Sequence, residues 1–222
     1  MQKFQTPSPI STTLDIPAGR IRFIAADRTD TTVEILPADP TRSRDLKAAQ
    51  LTTADYRDGT LHIETAPAKN RVLGHPGSIE VTVQLPTGSS VQAKTATAEL
   101  RGVGRLGDIT YESAQGSIKL DEATSAHLTL LAGDITLGRL DGPARISTAQ
   151  GDIHITEATR GTVTLHTQAG DISIGVTRGA SASLDAGTTY GRIHNALNNT
   201  DPTTTLTIHA TTAHGDITAR SL

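Results

Sequence analysis

The 222-residue chain has no cysteine and no tryptophan, and aromatic residues make up only 2% of it. Without cysteine there are no disulfides, no thiolate nucleophile and no Cys-ligated metal site. Two Phe and three Tyr are too few to build a stacking platform for sugars or bases. Positive charge is also short: 20 Lys and Arg stand against 23 Asp and Glu, a formal net charge of −3. That leaves no basic field for a phosphate backbone, and nucleic acid is not an expected partner. Long apolar runs are missing as well. The opening MQKFQTPSPISTTLDIPAG has no apolar core of signal-peptide length, and no stretch of roughly 18 apolar residues occurs anywhere, so no membrane span is expected. On this reading the chain is soluble and cytoplasmic.

What is present is a repeat. The segments SAQGSIKL, LLAGDITL, TAQGDIHI, TQAGDISI, TTYGRIHN and TAHGDITA share a Gly-x-Ile kernel, and their glycines are Gly116, Gly133, Gly151, Gly170, Gly191 and Gly215. Successive intervals are 17, 18, 19, 21 and 24 residues, a period near that of solenoid repeats. An alternating segment precedes each glycine and another follows it, which reads as strand, sharp corner, strand, loop.

Alternation assigns the faces. Two residues after each glycine stand Ile118, Ile135, Ile153, Ile172, Ile193 and Ile217; four after stand Leu120, Leu137, Ile155, Ile174, Asn195 and Ala219. Positions two apart share a strand face, so these are the expected interior rows. The position between them holds Lys119, Thr136, His154, Ser173, His194 and Thr218, all polar and expected to point outward. The upstream strands repeat the pattern with Leu128/Leu130, Ala144/Ile146, Val163/Leu165, Ala182/Leu184 and Leu206/Ile208. Period-two alternation, β-branched residues and frequent glycine oppose a helical reading. Units this short cannot bury an apolar face alone and must stack. The predicted fold is an all-β, single-domain parallel β-solenoid of roughly 18-residue two-strand coils, stacked in chain order at a spacing of about 4.8 Å.

Residues 1–100 are also strand-like but irregularly spaced, with GRIRFIAA, TTVEILPAD, a hairpin around Asp58-Gly59, and GSIEVTVQLPTG. They read as an irregular β N-terminal cap continuous with the repeats of 101–222, the whole forming one structural domain. Two segments, 39–50 and 66–78, read as loops able to carry function. The second offers Lys69, Arg71 and His75.

The stretch PSPISTTLDIPAGRIRFIAADRTDTTVEILPADP, the segment GRLGDITYESAQGSIKLDEA, the GDI repeats and the ending YGRIHNALNNTDPTTTLTIHATTAHGDITAR together resemble the actinobacterial putative-adhesin family of β-strand repeat proteins, also called the toastrack domain. The resemblance spans nearly the whole chain. It implies an all-β repeat fold and a domain of unknown function, with no catalytic residues to carry over. Ser117 and Arg192 depart from the Asp that follows the glycine elsewhere.

That Asp column, Asp134, Asp152, Asp171 and Asp216, admits two readings. Stacked carboxylates repel unless a cation or donors intervene, so one reading is a divalent-metal ladder or an acid–base pair. In the other, each Asp accepts turn N–H groups or neighbouring Thr hydroxyls at a glycine corner. Interruption by Ser and Arg, absence of the Gly-Gly-x-Gly-x-Asp form of calcium-binding β-rolls, and nearby Thr favour the second; no metal or cofactor is expected. His154 and His194, two rungs apart with Ser173 between them, form a candidate surface column, yet nearly 10 Å separates such rungs and excludes a shared metal. GVGRLG at 102–107 superficially matches a dinucleotide fingerprint, but the strand-like DITYE follows it instead of a helix.

Two functions follow. One is a non-enzymatic binding or assembly module for an unknown protein or small-molecule ligand, with self-association through the C-terminal coil as a variant. The other is an enzyme with its site in a lateral groove of the solenoid, most naturally beneath the 66–78 loop.

Overall fold

The computed structural model describes residues 1–66, 77–199 and 204–222. The chain is all-β, with mostly parallel strands and, among the described residues, one short helix, consistent with a β-solenoid. It divides into two compact units, 1–114 and 115–222. Among the described residues, no helix is long and apolar enough to cross a membrane.

The first unit contains β1 (Gln2–Gln5), β2 (Ser11–Ala26), β3 (Asp30–Pro37), α1 (Ser43–Leu51), β4 (Thr52–Arg57), β5 (Thr60–Thr65), β6 (Ile79–Pro86) and β7 (Ser90–Gln115). Strand β2 is its spine, paired in parallel with β5, β6 and β7. Antiparallel pairs β1–β3, β3–β6 and β4–β5 complete it. The hairpin predicted at Asp58-Gly59 is present: φ is 49° at Asp58 and 79° at Gly59, the two positive values of a type I′ turn. The 39–50 segment is not a loop throughout, since 43–51 forms α1. SRDLKAAQL contains no Gly, Pro or β-branched residue, which permits the helix. Its Ala48 is buried, and the buried Asp45 accepts the backbone N–H of Ser78 at 3.0 Å. Residues 67–76 lie outside the described part of the chain, and with them Lys69, Arg71 and His75.

The second unit contains β8 (Ile118–Ala132), β9 (Ile135–Leu140), β10 (Ala144–Gln150), β11 (Ile153–Ala158), β12 (Gly161–Ala169), β13 (Ile172–Val176), β14 (Ala182–Tyr190), β15 (Ile193–Ala196), β16 (Leu206–His214) and β17 (Ile217–Ser221). They form two parallel ladders. Strands before the glycine corners run β8–β10–β12–β16–β14. Strands after the corners run β8–β9–β11–β13–β17–β15. The isoleucines align in one column, Ile118–Ile135–Ile153–Ile172–Ile217–Ile193. The first five are at most 1% exposed, and each contributes roughly 1.5–3 kcal/mol of apolar burial.

Stacking departs from chain order. The last rung, β16–β17, lies between β12–β13 and β14–β15. This corrects the expectation that each repeat stacks on its predecessor. The C-terminal rung has an apolar set fit for both sides, with Leu206, Ile208, Ala210, Ile217 and Ala219 all fully buried. Among the described residues, β14 and β15 pair with strands on one side only, and the Asn199 side-chain amide bonds the N–H and C=O of Ala182 at 2.9 and 3.0 Å. Ile193 is 46% exposed, and Asn195 is exposed at a position that elsewhere holds a buried aliphatic residue. The alternation places both in interior rows, and the structure exposes them because no described rung covers that side.

Candidate functional site

The glycine corners are built by three interlocking contacts. Gly151 has φ of 135°, and a Cβ there would stand 2.2 Å from the carbonyl oxygen of Gly133 on the rung below. Only glycine permits both that backbone angle and that approach. Three residues before the glycine, Thr167, Thr212 and Thr188 donate their hydroxyls to the carbonyls of Gly151, Gly170 and Gly215 at 3.1, 3.1 and 3.0 Å. One residue after the glycine, the carboxylates form a directional ladder. Oδ1 of Asp134 accepts the N–H of Asp152 at 2.9 Å, Asp152 that of Asp171 at 2.7 Å, and Asp171 that of Asp216 at 2.7 Å. Asp216 accepts the N–H of Arg192 at 2.8 Å. Each aspartate is thereby tied to the next rung toward one end of the stack. Among the described residues, no group of three or more His, Asp or Glu could hold a metal ion.

That end is rung 182–196. Its column position is Arg192, where an aspartate would have no further rung to serve among the described residues. The guanidinium reaches back to Asp216 Oδ2 at 3.3 Å, and the side chain is 89% exposed. Tyr190, 68% exposed, stacks on His214 of the preceding rung with ring centroids 4.9 Å apart and planes 6° from parallel. Arg192, Ile193, His194, Asp216 and Thr218 line an open groove of about 460 Å³. Cation, aliphatic surface and edge backbone converge here.

The outward column runs Lys119–Thr136–His154–Ser173–Thr218–His194. His154 and His194 are therefore three rungs apart, not two, because Thr218 intervenes; their backbones are separated by about 14 Å of stack. His154 Nε2 lies 3.3 Å from Thr156 Oγ1. His166 and His209, which belong to no expected column, find partners across strands: Thr211 Oγ1 at 2.9 Å and Asp185 Oδ2 at 3.3 Å. The first unit has its own open groove of about 390 Å³ lined by Thr13, Asp15, His62, Glu64, Gln92 and Lys94 among others. There Thr13 Oγ1 meets His62 Nδ1 at 2.7 Å.

Several groups titrate away from their usual range, each with a local cause. Hydrogen bonds from Arg28 and Lys3 hold Asp30 down to about 2. The Thr41 hydroxyl and N–H lower Asp39. Burial pushes the Tyr111 phenol up, while Asp141 and Glu157 raise Arg139.

The features that mark the end rung were visible as departures from the repeat: Arg192 in the Asp column, Asn195 in the aliphatic column and the long intervals of 21 and 24 residues around Gly191.

The chain matches the family Toastrack DUF4097 over residues 11–220. No curated protein matches it. Among solved structures, a putative adhesin from Bacteroides fragilis NCTC 9343 superposes with a TM-score of 0.59 at 15% identity, covering 98% of this chain and 95% of that one. A putative lipid binding protein from Parabacteroides distasonis ATCC 8503 gives a TM-score of 0.46 at 12% identity, covering 97% and 95%. The first is a likeness of fold; the second is too distant to carry an argument.

Proposed function

Since the chain belongs to the Toastrack family, a domain family of unknown function, we propose that it is a non-enzymatic binding module. Its two ladders are the faces of two-strand solenoid coils, and its ligand seats on the open end of the second unit. The observation that carries this reading is the end rung itself. Among the described residues, strands β14 and β15 are edges of their ladders, and on them Tyr190 and Ile193 leave apolar surface in solvent. Edge backbone next to apolar side chains is the arrangement that accepts an added strand. Both described grooves are open to solvent, which suits a surface-laid polypeptide better than an enclosed small substrate.

A displayed library of extended peptides, selected on the full-length protein, tests this. Selected peptides should shift amide resonances of 182–197 and lose binding when Tyr190 and Ile193 are both replaced by Ser. Binders that map to the lateral faces and survive that replacement would contradict the reading.

A further inference from the structure

Within the second unit every junction between rungs repeats one set of contacts. The N–H of Ile153 donates to the carbonyl of Asp171, that of Ile172 to Asp216 and that of Ile217 to Arg192, each at 2.9 Å. The N–H of Gly151 donates to Ala169, that of Gly170 to His214 and that of Gly215 to Tyr190, again at 2.9 Å. In each case the donor lies on the rung farther from the open end. The next donors in the two series are Ile193 and Gly191, above which no rung lies among the described residues. They are thus the groups placed to meet the carbonyls of an incoming strand. The inner rungs present a carboxylate to the next strand at the column position; on the end rung that position holds Arg192, whose guanidinium turns back to Asp216 yet stays largely exposed. Among the described residues, that guanidinium makes one contact, to Asp216 Oδ2 at 3.3 Å.

We propose, resting on the open-end reading above, that the partner is an extended peptide strand bearing an acidic residue followed by an aliphatic one. The acidic side chain lies against Arg192 and the aliphatic one on Ile193. The Ile-on-Ile register of the inner rungs supplies the template for the aliphatic residue, and charge complementarity to the exposed Arg192 supplies the acidic one. The selection is electrostatic and exposed, so it is modest: about threefold to tenfold, weakening as salt is added.

The test is an amide-resonance titration of the full-length protein with two synthetic peptides. One is AQGDIHITEA, which is the chain's own 149–158 segment; the other carries lysine in place of its aspartate. Both should shift resonances of 182–197. The aspartate peptide should bind threefold to tenfold more tightly, and Arg192→Gln should erase that difference while leaving the lysine peptide bound. Equal binding of the two peptides, or a preference that survives Arg192→Gln, would overturn the acidic selection and leave the open-end reading standing. Failure of both peptides to bind at 182–197 would overturn the two together.

Discussion

Two five-residue stretches of the second unit, GDIHI at 151–155 and GRIHN at 191–195, share three of five residues and occupy the same place in the repeat. Ile153 and Ile155 are fully buried, whereas Ile193 and Asn195 are exposed. The two positions that differ are the ones whose work requires a further rung. Asp152 exists to accept the N–H of Asp171, and Ile155 fills space between Leu137 and Ile174. At the end of the stack neither task remains, and Arg and Asn stand there. The histidine, which faces outward in both, is unchanged. An inner rung is constrained from both sides and an end rung from one, and the side chains record which is which.

The comparison can be broken most severely at the isoleucine. Ile153→Asp would bury an uncompensated carboxylate and remove an aliphatic side chain, costing about 4 kcal/mol or more and unfolding the second unit. Ile193→Asp should cost less than about 1 kcal/mol, because water reaches that site. Urea denaturation of both variants measures the contrast. At the glycines, Gly151→Ala drives a Cβ into the Gly133 carbonyl and should destabilise by roughly 3 kcal/mol. Gly187→Ala, with open space around its Cβ, should change stability by under about 0.5 kcal/mol, and thermal unfolding resolves the two. The carboxylates give the smallest difference. Asp152→Ala leaves the Asp171 N–H without its acceptor and should cost about 1 kcal/mol. Asp152→Asn keeps an acceptor oxygen and should leave the melting temperature nearly unchanged, as should Arg192→Ala.

Much of the fold was legible because period-two alternation identifies buried faces without any knowledge of strand order. Ile118, Ile135, Ile153, Ile172 and Ile217 are interior on that argument, and they are buried in the structure. Asp58-Gly59 was legible for a different reason: few residue pairs tolerate two positive φ values in succession. Stacking order was not legible from the alternation. Every Gly-x-Ile rung presents the same faces in the same register, so the periodicity fits any permutation. What discriminates them is the quality of the interior set, and there the pair Ile193/Asn195 is plainly poorer than Ile217/Ala219. Helix α1 was missed because nine residues within a strand-rich half give too short a window for periodicity to show. The outward column of His154, Ser173 and His194 could be read as a column, but its spacing could not, since Thr218 enters it from the far end of the chain.

The central claim is that the C-terminal rung is inserted beneath rung 182–196. A chain without cysteine makes it directly testable by paired cysteine substitutions on the outward column. Parallel neighbours stand about 4.8 Å apart, within the reach of a disulfide, and residues two rungs apart do not. Under mild oxidation, Ser173→Cys with Thr218→Cys should cross-link, and Thr218→Cys with His194→Cys should do the same, while Ser173→Cys with His194→Cys should stay reduced. Ready cross-linking of the 173/194 pair, with 173/218 left reduced, would contradict the account and restore stacking in chain order.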